Sequence, residues 1–249
     1  MNEEENSSED AHTEENPIFA GHLGQNRPYW RDIVLGVNDG LVSTFLLVAG
    51  VSGAGLSISD TLLTGISGAL AGAISMAAGE YLATKSQDEV SQGELTLEQE
   101  HIREHHEDEV REVRALLHNI GIDESDLRDQ LIKYYEENDD ALMKIMMALE
   151  FGVVTSERRS SIKAALFSCG TFLIGALPSV LPFAFVKSVS IGLIVSGGLT
   201  GLGLALVGWI KSFATRGNPI RAASENMLIG GLGGVLAYVV GEFFNLLIN

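Results

Sequence analysis

Cysteine, basic residues and aromatic rings are all scarce in this chain. Cys169 is the single cysteine among 249 residues, so an intrachain disulfide is excluded. Lys and Arg number 16 against 33 Asp and Glu, a net charge of −17. That balance excludes the cationic surface a nucleic-acid binder needs and points to cations as partners. Proline is also rare, five in all, so little interrupts the long apolar runs. The opening MNEEENSSEDAHTEEN has neither a basic start nor a short apolar core, which excludes a secretory signal. Residues 1–28 read as a disordered acidic tail with almost nothing to bury.

What the chain does have is apolar residues, 46% of the total, kept apart from its acids. Five segments approach the roughly 20 residues that cross a bilayer. They run from about Ile33 to Val51, Thr61 to Leu82, Ala164 to Leu181, Val189 to Ile210 and Met227 to Ile248. Small-residue spacings at Gly68 and Gly72, Gly197 and Gly201, and Gly230 and Gly234 suit close helix approach. Pro178 and Pro182 are expected to end the third span and turn the chain into the fourth. Arg27 and Arg31 precede the first span, and Lys211, Arg216 and Arg221 lie between the last two. Ser52 to Asp60 holds no Lys or Arg, so the positive-inside rule puts the N-terminus in the cytoplasm, with Lys187 a mild exception.

The expected fold is an all-α polytopic membrane protein with five transmembrane helices and a three-helix cytoplasmic insert. Its parts are the tail 1–28, spans one and two in 29–84, the insert 85–157, and spans three to five in 158–249. The insert carries about twenty acids against about seven bases. Its first helix should continue from span two to about Asn119, stopped by Gly121. Asp123 is the expected cap of a second helix, Glu124 to Glu137, with Leu127, Leu131 and Tyr134 on its apolar face. The third helix should run from Ala141 to Phe151, after a break at Asn138 and Asp139.

Two groups of residues carry chemistry. The first lies within the spans. Asp39 sits in IVLGVNDGLVST, where a carboxylate costs about 2.5–3.5 kcal/mol and therefore should face a cavity or a partner. Met76 lies at matching depth on the antiparallel second span, each about 9 Å inside the cytoplasmic end. Glu80 is one turn nearer the cytoplasm than Met76. Carboxylate and thioether together suit a borderline ion such as Fe²⁺ better than Mg²⁺ or Ca²⁺. The second group is a stripe of ligand types at three- and four-residue spacing: Glu94, Glu98, His101, His105, Glu109 and Glu112. Like charges so spaced repel without a counter-ion. An adjoining apolar strip of Leu95, Ile102, Val113 and Leu117 turns the stripe toward a neighbouring helix. The third insert helix offers Met143, Met146, Met147 and Glu150, and Met146 with Glu150 adds sulfur and oxygen to the same ions.

VLGVNDGLVST, SMAAGEYLA, the Glu-rich helix and MMALEFG together resemble the vacuolar iron transporter family, whose yeast type is the calcium cross-complementer. The resemblance covers nearly the whole chain from about Arg31. It implies a five-span dimer that exchanges protons for Fe²⁺, some members carrying Mn²⁺, with a cytoplasmic metal-binding domain between spans two and three. By resemblance, Asp39 and Met76 belong to the intramembrane pathway. Glu98, Glu109, Glu112, Met146 and Glu150 are, by the same resemblance, cytoplasmic ligands. His101 stands where the family usually has another glutamate, which opens the site to Zn²⁺ as well. The insert itself sets the chain apart from plant nodulin-like relatives, which lack it.

The resulting expectation is a proton-coupled divalent-metal antiporter of Fe²⁺, with Mn²⁺ and Zn²⁺ as further cargo, and no prosthetic group. Its partners are metal ions, protons, the bilayer and a second copy of itself, not nucleic acid. It would serve a vacuolar membrane in a eukaryote and the plasma membrane in a prokaryote. Two alternatives stand beside it. Glu98-x-x-His101 is the pair used by di-iron carboxylate bundles, which would make a ferroxidase, although the other insert helices offer no histidine. A metal-sensing scaffold is the other, and it leaves Asp39 without a purpose.

Overall fold

The computed structural model describes residues 29–150, 152, 159–215 and 217–248. The acidic tail, Arg27, Phe151, Glu157 and Arg216 lie outside the described residues. Nine helices and no strands occur among those described. They are α1 (Trp30–Gly53), α2 (Ile58–Glu104), α3 (His106–Asn119), α4 (Ser125–Glu136), α5 (Asp139–Leu149), α6 (Ser161–Val180), α7 (Pro182–Phe185), α8 (Val189–Thr215) and α9 (Pro219–Ile248). Five of them are long and apolar enough to cross a membrane: α1, α2, α6, α8 and α9. The described residues divide into two compact units, one drawn from 29–78 and 165–248 and the other from 79–164.

The first unit is held by helices whose backbones touch. Lipid tails are as apolar as leucine, so helices gain little from hiding apolar side chains from each other and rely on close packing. In α1, Gly40 lies against the Phe172 carbonyl of α6, and Gly175 of α6 lies against the Val37 carbonyl. Gly241 of α9 lies against the Gly50 carbonyl of α1. The Gly68–Gly72 spacing receives Leu47 and the Phe172 ring, and the Gly230–Gly234 spacing receives Leu204 and the Phe45 ring. The Gly197–Gly201 spacing is looser, with Phe45 3.3 Å and Met227 3.8 Å from where a Cβ would stand.

One buried polar knot ties three spans together. Ser179 of α6 donates to the Leu41 carbonyl of α1 at 3.2 Å and pairs with the Thr200 hydroxyl of α8 at 2.9 Å. Ser196 of α8 donates to the Ser179 carbonyl at 2.8 Å. Every hydroxyl in the knot is partnered, as a low-dielectric interior requires. Large apolar side chains face outward instead, with Leu63, Ile66, Leu70 and Ile74 forming an exposed line along α2.

Pro178 does not end the third span, because α6 continues past it to Val180. It sits in the last turn, where the loss of one N–H and a ring contact with the preceding turn disturbs little helix. Pro182 does start a new element, the single-turn α7.

The second unit gathers the end of α2 with α3, α4 and α5. Its core is Ile102, Val110, Val113, Leu117, Ile132, Leu142 and Met146. Burying each larger side chain contributes roughly 1.5–3 kcal/mol. Four sequence expectations change here. The first insert helix is not continuous: α2 stops at Glu104 and α3 starts at His106. Asp123 does not cap α4, whose N-cap is Glu124, because the Asp123 carboxylate pairs with His118 at 2.7 Å. The buried face of α4 centres on Ile132, while Leu127 and Tyr134 are exposed, because a helix only 12 residues long buries a narrow stripe. Asn138 caps α5 by accepting from Ala141 N at 3.2 Å, and Asp139 is already helical. Gly121, after α3, has φ +91°, a conformation that costs other residues more.

The glycine contacts predict a contrast between two residues of one helix. Gly241→Ala puts a methyl group into the Gly50 carbonyl and forces α1 from α9, an overpacking cost of about 1–3 kcal/mol. Gly231→Ala meets nothing within 4 Å and costs nothing. Thermal unfolding of the two variants in detergent should show a lowered midpoint only for the first.

Candidate metal centre

The break at His105 decides the geometry. On one unbroken helix Glu98 and Glu109 would stand about 16 Å apart along the axis, and His101 and Glu109 about 12 Å. Instead the backbone leaves helical geometry at His105, with φ −131° and ψ 37°. His101 Nδ1 then lies 3.5 Å from Glu109 Oε1, and the Glu109 charge acts on Glu98. Glu107, Asp108 and Glu109 fill the first turn of α3, where the positive end of the helix dipole favours acids. That acidic triplet is the sequence signal for a helix start, and ligand spacing alone misses it. His106 fastens the new start, its Nε2 3.1 Å from the Glu136 carbonyl and its Nδ1 3.5 Å from Asp139.

Glu98 and Glu109 are buried, only 5% and 6% exposed. Glu98 Oε1 and Glu109 Oε2 have no hydrogen-bond partner. Burial first, then the charges of Glu109 and Glu150, push the Glu98 carboxyl up to about 7, while His101 pulls the other way. Glu150 is raised too, by desolvation and then by the charges of Glu112, Glu109 and Glu94. So Glu98, His101, Glu109, Glu112 and Glu150 feel one another, as the sequence pattern anticipates, and Glu94 joins them.

Met146 stands differently. It is fully buried in the apolar core, so its first role is packing. His105 is exposed at the break, its ring 6.4 Å from that of His101. Among the described residues no three His, Cys, Asp or Glu side chains are already closed into a metal cage. Two unpartnered buried oxygens beside an imidazole nevertheless fit a divalent cation. Such an ion would satisfy both and offset the burial and the neighbouring charges that raise the Glu98 carboxyl.

The intramembrane candidates are divided between two helices, Asp39 on α1 and Met76 with Glu80 on α2. Asp39 is exposed on α1, and its carbonyl accepts from the Ser43 hydroxyl at 2.5 Å. Arg31, Leu35, Asp39 and Ser43 form one exposed row at four-residue spacing. Met76 is half-buried on α2. Glu80, in the second unit, accepts from the Thr84 hydroxyl at 3.2 Å and lies 3.9 Å from the Arg159 guanidinium.

Comparison with known proteins adds an independent line. The model of the VIT family matches residues 30–242. "Vacuolar iron transporter 1" of Tulipa gesneriana is 33% identical over 212 residues, 85% of this chain and 85% of that protein. The protein of the same name in Arabidopsis thaliana is 32% identical over 212 residues, covering 85% and 84%. "Protein CCC1" of Saccharomyces cerevisiae is 27% identical over 223 residues, covering 87% and 68%.

The raised Glu98 carboxyl makes the stability of the metal-free protein depend on pH. The folded chain keeps this proton up to about pH 7, whereas an unfolded chain releases it near 4.5. The native state binds the extra proton across that window, so this contribution is fully present below 4.5 and is lost as pH rises through 7. Metal-free melting points should therefore fall across that range. Glu98→Gln should flatten the fall, and an undiminished slope in that variant would remove Glu98 as its source.

Proposed function

The chain belongs to the VIT family and is a multi-pass membrane metal transporter rather than an enzyme, and from that premise we propose that it exchanges protons for Fe²⁺. The observation that carries this reading is the Glu98–Glu109–His101 cluster, gathered by the break at His105 and left with two unpartnered oxygens. The insert collects the ion, and Glu112, Glu150 and the Met146 sulfur complete its ligands once the ion draws them in. Oxygen, imidazole and thioether donors together favour Fe²⁺, with Mn²⁺ and Zn²⁺ as further cargo.

Asp39 and Met76 form the crossing point in this reading. The exposed row that includes Asp39 and Ser43 would face lipid on a single chain, an expensive place for a carboxylate. A second copy covering that row removes the cost, which supports a homodimer. Glu80 is already engaged by Arg159, so a cation using Glu80 has to compete with a guanidinium. Protons from the acidic side compete for Asp39 and release the metal there. The N-terminus and insert face the cytoplasm, and the export runs into an acidic store such as a vacuole, or out of a prokaryotic cell.

Two experiments test the two halves. In proteoliposomes with an acidic lumen, Fe²⁺ uptake should collapse when the pH gradient is discharged, and Asp39→Ala should lower it more than tenfold, about the weight of one lost transition-state contact. Transport that survives Asp39→Ala would take that residue off the pathway. For the insert, Fe²⁺ or Zn²⁺ affinity of the full chain should rise with pH until Glu98 is deprotonated, near 7, and then level off. Glu98→Ala with Glu109→Ala should abolish this binding, whereas Met146→Leu should keep the fold and weaken it. A flat pH profile, or full binding by the double variant, would leave the cluster as a solvated acidic patch.

A further inference from the structure

Glu80 and Arg159 both belong to the second unit but come from distant parts of the chain, Glu80 from α2 and Arg159 from two residues ahead of α6. Their side chains are only 10% and 23% exposed, so salt screens the pair much less than it screens a surface pair. The contact has a particular form. The guanidinium stands 3.9 Å from Glu80 Oε1, inside the reach of charge attraction and beyond that of a hydrogen bond. A guanidinium locked on a carboxylate donates two parallel bonds at about 2.7–2.9 Å. The hydrogen bond to Oε1 comes instead from the buried Thr84 hydroxyl, at 3.2 Å. Thr84, one turn further along α2, steadies the carboxylate, and Arg159 brings a positive charge to the same oxygen without a short bond that must break.

We propose that Arg159 is a selectivity residue, a tethered cation that attends Glu80 between transport cycles and gives way to a divalent ion but not to a monovalent one. This rests on the place of Glu80 in the pathway proposed above. Exchanging the guanidinium for Na⁺ or K⁺ swaps one unit charge for another, and the incoming ion has water to shed. A divalent ion doubles the attraction to the same carboxylate. The guanidinium keeps its charge at every pH the protein meets, so a pH gradient does not loosen its hold. Because it is tethered, it returns as soon as the ion moves on, and Glu80 regains a counter-ion that a buried carboxylate needs. Affinity is lowered in exchange, since each Fe²⁺ has to displace Arg159 first.

The test uses the full chain in proteoliposomes, with initial rates of Fe²⁺ uptake measured at one pH gradient and one ionic strength. The outside salt is either choline chloride, whose cation is too bulky for the site, or sodium chloride. The unaltered chain should show the same KM in both. Arg159→Gln should lower KM about fivefold in choline, the smaller end of the coupling between two competing ligands, without raising the maximal rate. In sodium that gain should shrink, because Na⁺ now competes at Glu80. Arg159→Lys keeps a point charge and should restore both the KM and the indifference to sodium. A maximal rate that falls with KM unmoved would make Arg159 a structural tie, and a lowered KM that ignores sodium would remove its part in selection; either overturns the proposal. On a Glu80→Gln background, where KM should be raised, Arg159→Gln should change nothing further. A KM shift by Arg159→Gln that persists there would mean action through another group and overturns the pairing. Glu80→Gln with an unaltered KM would take Glu80 off the pathway and this inference with it. A raised KM in Glu80→Gln, with no effect of Arg159→Gln alone, would overturn this inference and leave the pathway standing. If Arg159→Gln unfolds at a lower temperature in detergent, Arg159→Met, which keeps the apolar stem, replaces it throughout.

Discussion

A carboxylate taken out of water must keep its proton or find a cation, and the organisation of this molecule follows from that choice. At Glu98 the choice is nearly balanced, since its carboxyl titrates at about 7. In the function proposed above, this side chain trades a proton for a metal ion within the range of cellular pH. At Glu80 the cation is supplied from within the chain by Arg159. At Asp39 neither solution is built into a single chain, and that carboxylate lies exposed in an apolar helix. Three acids thus meet the same physical demand in three ways.

The spans were the most legible part of the sequence, because an apolar stretch of about twenty residues matches the thickness of a bilayer and exceeds what most soluble cores bury. All five helices appear where the apolar runs lie, with α2 continuing far past Leu82 to Glu104, α9 starting earlier at Pro219 and α6 stopping at Val180. The insert was less legible. Its apolar strip of Ile102, Val113 and Leu117 is indeed core, but the helix that carries it is two helices. Residue spacing maps onto a face only along a continuous helix, and it is blind to a break at His105. Asp123 illustrates a second limit: a short polar side chain chooses between capping a helix and pairing with a neighbour, and here it pairs with His118. Met146 shows a third, since its spacing relative to Glu150 is right for a ligand while its burial is that of a core residue.

The same break turns an apparent weakness of the pattern into its use. A continuous stripe of acids spreads its charge along a surface, where water screens it and metal binds weakly. Folding the stripe back at His105 puts Glu109 beside Glu98 and excludes water from both. The core under the site is what resists the repulsion this creates. Ile102, Val110 and Val113 sit next to the acids in sequence, so the core and the candidate ligands lie on different faces of the same turns.

The glycine contacts of the first unit have a mechanical side. Helices that meet through interdigitated side chains can slide, because rotamers adjust as the surfaces pass. Where Gly241 rests on the Gly50 carbonyl, and Gly40 on that of Phe172, no such bearing layer exists. At these points α1 is keyed to α9 and to α6, and the three behave as a keel. By contrast, α2 meets its neighbours through Leu47 and the Phe172 ring. Freedom to shear is therefore concentrated on α2, and any rocking that exposes Asp39 first to one side and then to the other should be sought as a displacement of that helix against a fixed frame.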